Sequence, residues 1–218
     1  KKKLIKIVGR TLYALLQQHH ITQFKPIAHE KSFGMKGLKS GTEEETQIEG
    51  LKVVLNNNRE MTIRGQIDRI DGYRDGSDVY LRVIDYKSSK RDINLTEVYN
   101  GISLQLLTYL EVASQNAIEL IKDSELVTDL RELEDIIVKS AGMFYFHVHN
   151  PLLTVADYSD VSKIEEERLK QYKLKGYALE DVDVAIAMDE TLEPSATSKV
   201  VPVGLTKDST FNGRSSSV

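Results

Sequence analysis

The stretch GQIDRIDGYRDGSDVYLRVIDYKSS, residues 65–89, sets carboxylates at Asp68, Asp71 and Asp85 and an amine at Lys87 among residues of buried-strand character. Paired aspartates are hard oxygen ligands suited to a divalent cation such as magnesium, which binds through one or two carboxylates and keeps several waters. A lysine beside them can position or deprotonate an attacking water, or neutralise charge developing on a phosphate.

Strand geometry decides whether these groups can meet. The turn signal YRDGSD centres on Gly76 and Ser77, and the midpoint between Asp68 and Asp85 falls between those two residues. An antiparallel hairpin with that turn sets Asp68 directly opposite Asp85, at about 4.5–5.5 Å between Cβ atoms. Side chains two apart share a strand face, so Asp85 and Lys87 point one way and Ile84, Tyr86 and Ser88 the other. Two carboxylates opposed across strands repel unless a cation sits between them. The competing reading is a surface hairpin that shows its polar face to water. Asp71 lies on the opposite face from Asp68, next to Gly72, and reads as a residue that shapes the turn.

The elements around this hairpin form a mixed α/β pattern. KLIKIVGRTLYALLQQHH has apolar residues at 5, 8, 12, 15 and 16, a helical spacing, and PIAHEKSFG alternates towards a short strand. GTEEETQIEG reads as a loop; LKVVL, an NNN turn and MTIRGQIDRIDGY read as two strands of a hairpin or meander, followed by the strand DVYLRVIDYK. A helix is expected from Thr96 to about Lys122, with Tyr99, Ile102, Leu106, Tyr109, Leu110 and Ala113 on one side. Residues 126–140 read as another helix or a charged insertion, and AGMFYFHVHNP as a strand. DVSKIEEERLKQYKLKGYAL and EDVDVAIAMDETL read as helices, KVVPVGL as a strand and TKDSTFNGRSSSV as a polar tail.

Composition limits the function classes. The 218 residues are 40% hydrophobic and 28% charged, a globular profile. No apolar run approaches the ~20 residues of a membrane helix, and the first residues show no signal-peptide pattern. Cysteine is absent, which excludes disulfides and thiolate clusters within these residues. Residues 1–40 carry nine Lys and Arg against Glu30 alone, whereas the whole chain is −4. Such a basic segment is either a nucleic-acid footprint or a solvated helix face. His147 and His149 share one face of a strand, as a two-histidine metal site or as a polar strand end.

Taken in order, GQIDRID, VIDYKSS and GISLQLLTYL resemble the PD-(D/E)xK nuclease superfamily in its RecB-like branch, which carries G-x-x-D-R-x-D, then D-Y-K and small residues, then Q-x-x-x-Y. Within it, VIDYKSS, EVYNGISLQLLTYL, FYFHVHNP and VGLTKD resemble the AddB-type (RexB) family of helicase–nuclease proteins, over roughly residues 24–212. The resemblance implies a restriction-endonuclease-like α/β core with a mixed central sheet flanked by helices. It implies a helix over residues 1–23 leading into a nuclease core over 24–218, with a charged segment at about 123–140 and a polar C-terminal tail. Asp68 and Asp85 match the metal-binding aspartates, Lys87 the catalytic lysine, and the main-chain carbonyl of Tyr86 a further metal ligand. Gln105 and Tyr109 match the pair that lies near the active site and the DNA, and share a helix face at i and i+4. Packing among Ile102, Leu106 and Leu110 is the other reading for Tyr109. Glu30 matches an acidic position on the first core strand.

Implied cofactors are Mg2+, with Mn2+ as an alternative, and in the longer parent a 4Fe–4S cluster that this cysteine-free chain cannot hold. Implied partners are DNA, as a single strand delivered by a helicase, and an AddA-like helicase–nuclease subunit, in the cytoplasm and not in a membrane. A metal-ligand histidine is expected upstream of Lys1, since His19 and His20 lie too close to the first core strand; the chain therefore reads as part of something longer. Three functions remain open: the nuclease domain of an ATP-dependent helicase–exonuclease in double-strand-break processing, a nuclease-like structural or DNA-channel module, and a stand-alone RecB-like or Cas4-like nuclease.

Overall fold

The alternation of residues 65–87 folds into an antiparallel hairpin in the computed structural model of the protein, which describes residues 2–34, 48–153 and 160–217. Its arms are β4 (Gly65–Asp75) and β5 (Asp78–Lys87). A two-residue loop joins them, with Asp75 facing Asp78 and Gly76 at φ 59°, a left-handed conformation that glycine adopts without a Cβ penalty. The hairpin lies within a five-stranded sheet of order β1-β4-β5-β6-β7, with β1 at Lys25–Phe33, β6 at Ile137–His147 and β7 at Lys175–Ala178. A separate antiparallel pair is formed by β2 (Leu51–Val54) and β3 (Glu60–Ile63). Ile137 N–H donates to Ser77 O near the start of β5 and Val148 N–H to Lys87 O at its end, so β6 runs parallel to β5. Parallel neighbours need a long crossover, which here carries the short helices between them. The fold is α/β with a mixed sheet flanked by helices, the class expected from the sequence.

The chain divides into two compact units. One comprises Pro26–Asp85 and Thr96–Met143. In its core Val79 and Leu81 of β5 meet Ala117 and Ile121 of α4 (Ala117–Ile121), with Ile27, Leu126 and Val138 packed against them. Gly72 belongs to this packing: a Cβ there would stand 2.4 Å from Leu126 Cδ1. The other unit comprises Lys1–Lys25, Tyr86–Leu95 and Phe144–Val218. Its core stacks Phe146 on Tyr172 at 6.0 Å, with Tyr86 edge-on to Phe146. Helix α1 (Lys2–His20) is tied into it where Gln23 N–H donates to Ala187 O and Glu190 N–H to Ile21 O, around α6 (Val182–Met188).

Several elements differ from expectation. The helix expected over 96–122 is three pieces, α2 (Leu95–Tyr99), α3 (Gln105–Gln115) and α4. Gly101 at φ 76° and Ser103 at φ 60° break it, and Tyr99 and Ile102, expected on one helix side with Leu106 and Ala113, are exposed while those two are buried. Residues 130–135 make a 3-10 turn, and β6 begins at Ile137, several residues before the strand expected there. α5 (Val161–Lys170) gives way to β7 inside the segment read as one helix. KVVPVGL makes isolated bridges in place of a strand, Thr197 to Gly204 and Leu205 to Phe211. The apolar stripe of α1 does not face the core. Thr11 and Ala14 are its buried residues, while Leu4, Ile5, Val8, Leu12 and Leu16 are exposed. Residues 41–47 of the expected loop lie outside the described residues.

Candidate functional site

Carboxylates and apolar residues share one face of the β4–β5 hairpin. On β5, Val79, Leu81 and Val83 are fully buried and alternate towards Asp85, itself only 2% exposed. The register pairs Ile70 with Val83 and Arg69 with Ile84. One further step in that register sets Asp68, half-buried, opposite Asp85. β5 continues through Tyr86 to Lys87, both half-buried, and alternation returns Lys87 to the Asp85 side. The Lys87 ammonium stands 5.6 Å from the centroid of the Tyr145 ring, within cation–π range.

Gln105 opens α3, where its Nε2 donates to Tyr109 Oη at 2.8 Å. Tyr109 sits edge-on to Phe33 at 6.0 Å between centroids. Phe33 in turn lies over Gly65, where a Cβ would approach its ring to 2.9 Å. The glycine three residues before Asp68 is thus the space that Phe33 fills, and Phe33 links β1 and β4 to the Gln105–Tyr109 pair. Glu30, on β1, is exposed and adopts φ 48°, a costly conformation for a non-glycine residue. Its carbonyl accepts from Gln66 Nε2 at 3.0 Å, two residues before Asp68.

Asp71 does not shape the turn, which lies further along at Gly76–Ser77. It is wholly buried and holds two arginines, with Arg69 Nε at 2.6 Å and Arg82 Nη2 at 2.9 Å from its carboxylate. The register that sets Asp68 against Asp85 also pairs Asp71 with Arg82, so the same arithmetic on the sequence finds this network. Its face is opposite to that of the Asp68–Asp85 pair, which separates a structural acid from the candidate ligands.

His19 and His20 end α1 and are exposed. His147 and His149 stack in parallel at 4.0 Å, with His149 Nδ1 2.9 Å from His147 O and Tyr172 Oη donating to His149 O. Burial, then the neighbouring charges of His149 and Lys90, push the His147 pKa down, while its bond to Ser88 O acts the other way. Among the described residues no three of His, Cys, Asp and Glu gather into a metal cluster. A donor set of two carboxylates still fits a hard cation that retains most of its waters. No helix among the described residues is long and apolar enough to cross a membrane.

Comparison with known proteins matches residues 1–198 to the family model of the PD-(D/E)XK nuclease superfamily. The chain is 44% identical over 211 residues to the B subunit of the ATP-dependent helicase/deoxyribonuclease of Lysinibacillus sphaericus (strain C3-41), covering 96% of this chain and 16% of that protein. It is 38% identical over 216 residues to the proteins of the same name from Bacillus thuringiensis (strain Al Hakam) and Bacillus mycoides (strain KBAB4), covering 99% of this chain and 17% of each. The chain therefore spans about a sixth of the length of these relatives.

Proposed function

The chain belongs to the PD-(D/E)XK nuclease superfamily, and from that premise we propose that it is the nuclease domain of an ATP-dependent helicase–exonuclease, hydrolysing DNA phosphodiester bonds during double-strand-break processing and recombinational repair. The reading is carried by the hairpin register, which pairs Arg69 with Ile84 and, continued by one residue, sets Asp68 opposite an Asp85 buried at the end of an apolar stripe. A hard divalent cation between two such carboxylates offsets their mutual repulsion and the desolvation of the buried one.

In this reading Asp68 and Asp85 hold a divalent cation, Mg2+ with Mn2+ as an alternative, and the main-chain carbonyl of Tyr86 adds a third oxygen. When bound, such an ion supplies Lewis-acid polarisation of the phosphodiester and activation of water. Lys87, on the face of Asp85, stabilises negative charge on the phosphate or orients the attacking water through its ammonium. The Gln105–Tyr109 bond fixes both side chains on one face of α3, as a polar support for the strand being cut, and Glu30 is assigned the acidic position on the first core strand. The names of the relatives support DNA as substrate and a multi-subunit assembly. An AddA-like subunit is proposed as the partner, the cytoplasm as the compartment, and a 4Fe–4S cluster as a property of a longer parent.

The test is titration of the protein with Mn2+ and Mg2+, followed by calorimetry and by paramagnetic broadening of NMR signals. Asp68→Asn and Asp85→Asn should each weaken cation binding at least about tenfold, the loss of one charge-assisted ligand. In the full assembly Asp85→Asn should abolish cleavage while DNA binding persists. Wild-type affinity for the cation in both variants would overturn the assignment.

A further inference from the structure

A cavity of about 510 Å³ lies wholly within the unit that contains the C-terminal residues. Its lining gathers the cations Lys173, Lys175 and Arg214 with the carboxylate of Asp92, in a chain of net charge −4. Thr197 and Asn212 add neutral hydrogen-bonding groups. None of these residues has a part in the cation site proposed above.

The walls are built. Asp189, fully buried, accepts from Ser198 Oγ at 2.8 Å, Lys199 N at 2.6 Å and Thr191 Oγ1 at 2.7 Å. Ser198 Oγ in turn receives the N–H groups of Val200 and Val201, so one carboxylate fixes the loop that carries Thr197. On the other side Ala178 N–H donates to Ser216 O and Ser216 N–H to Pro202 O, each at 2.9 Å, which pins the segment bearing Asn212 and Arg214. Gly204 lets Asn212 and Thr197 close in on the backbone, since a Cβ there would stand 2.5 Å from Asn212 Nδ2 and 3.2 Å from Thr197 Oγ1. Burial, with repulsion from Lys175, brings the Lys173 pKa down to about 8, against an opposing pull from Asp189. Cations held together at a desolvation cost are relieved by an anion.

We propose that this cavity is a phosphate-binding site that grips the backbone of a single DNA strand through Lys173, Lys175 and Arg214. The assignment of the phosphate to a strand rests on the nuclease reading above. Phosphate contacts of this kind position a strand without reading its sequence.

The test measures binding of a single-stranded oligonucleotide to the protein in chelator, over a range of salt, for wild type, Lys173→Met and Arg214→Ala. Arg214 is solvent-exposed, so its variant guards against a fold defect at Lys173. Each variant should lose about tenfold in affinity and lower the slope of log K against log salt by about 0.7, the counterion release of one contact on a single strand. Wild-type binding should also weaken as pH rises through about 8, where Lys173 loses its proton. Lys173→Met should remove that step, which separates Lys173 from the other charged and titratable groups around it, Asp92, Lys175, Tyr177 and Arg214 in the lining and the buried Asp189. Inorganic phosphate should compete only weakly. Unchanged affinity and slope in both variants would overturn the proposal, as would loss of inorganic phosphate binding with strand binding intact. Failure of the nuclease reading shows separately, as wild-type protein that binds the strand and no cation.

Discussion

Replacing Asp71 with asparagine removes one negative charge at almost constant volume, which makes it a clean probe of the arginine pair it holds. The carboxylate takes Arg69 Nε at 2.6 Å on one oxygen, and Arg69 Nη2 and Arg82 Nε, both at 3.0 Å, on the other. Arg82 is 2% exposed and Asp71 not at all, so water cannot replace what is lost. Asparagine offers one acceptor oxygen to two guanidinium groups whose charges then face each other uncompensated. Breaking a buried ion pair from one side costs about 3–5 kcal/mol. At about 2–4 °C per kcal/mol for a chain of this length, the melting temperature should fall by roughly 6–20 °C. The chain has no tryptophan, so urea and thermal unfolding are followed by circular dichroism. Replacing all three by apolar residues, Asp71→Leu with Arg69→Met and Arg82→Met, should recover most of the loss, because apolar substitutes for a buried ionic network are often neutral or stabilising. Cation affinity should stay at the wild-type level in Asp71→Asn. A stability within about 0.5 kcal/mol of wild type, the range of an ordinary surface change, would refute the reasoning. So would loss of cation binding without loss of stability.

Gly65→Ala should destabilise by about 1–3 kcal/mol through overpacking against Phe33, read by urea midpoint; no change would mean that the ring moves aside freely. Asp189→Ala should cost at least about 3 kcal/mol, since buried hydrogen bonds to a charged acceptor are worth about 1.5–3 kcal/mol each. Its check is faster amide exchange at Ser198–Val201, and unchanged exchange there would remove Asp189 as the anchor of that loop. The depressed pKa of His147 means that the unfolded chain takes up its proton first. The stability this residue contributes is present above about 6.5, the ordinary histidine value, and is lost as pH falls through its lowered folded value. Urea midpoints should drop from pH 7 to pH 5 in wild type, and His147→Asn should flatten that slope; parallel slopes would refute it.

What the sequence by itself determined was local. A two-residue turn at Gly76–Ser77 sets the register of every residue on the hairpin, because strand side chains alternate with a period of two. That one turn pairs Asp71 with Arg82 and Arg69 with Ile84, and the same register continued by one residue sets Asp68 against Asp85. Helical periodicity likewise brought Gln105 and Tyr109 into contact one turn apart. The break at Gly101 was within reach of the same local signals, since Asn-Gly punctuates a helix wherever it falls. Only the tertiary structure decided which polar residues are buried and what covers which face. Register puts Asp71 and Asp85 on opposite faces of the hairpin, but only the folded chain shows that both faces are buried there, with Asp71 wholly enclosed against Arg69 and Arg82 and Asp85 at the end of an apolar stripe. The apolar stripe of α1 predicts a helix but not the face it buries, because burial depends on distant segments such as residues 187–190. The cavity of Lys173, Lys175 and Arg214 is lined by four stretches of chain, three of which are held together by hydrogen bonds between residues far apart in sequence. No periodicity within any one of them encodes such closure, since the bonds that make it are between segments and not along them.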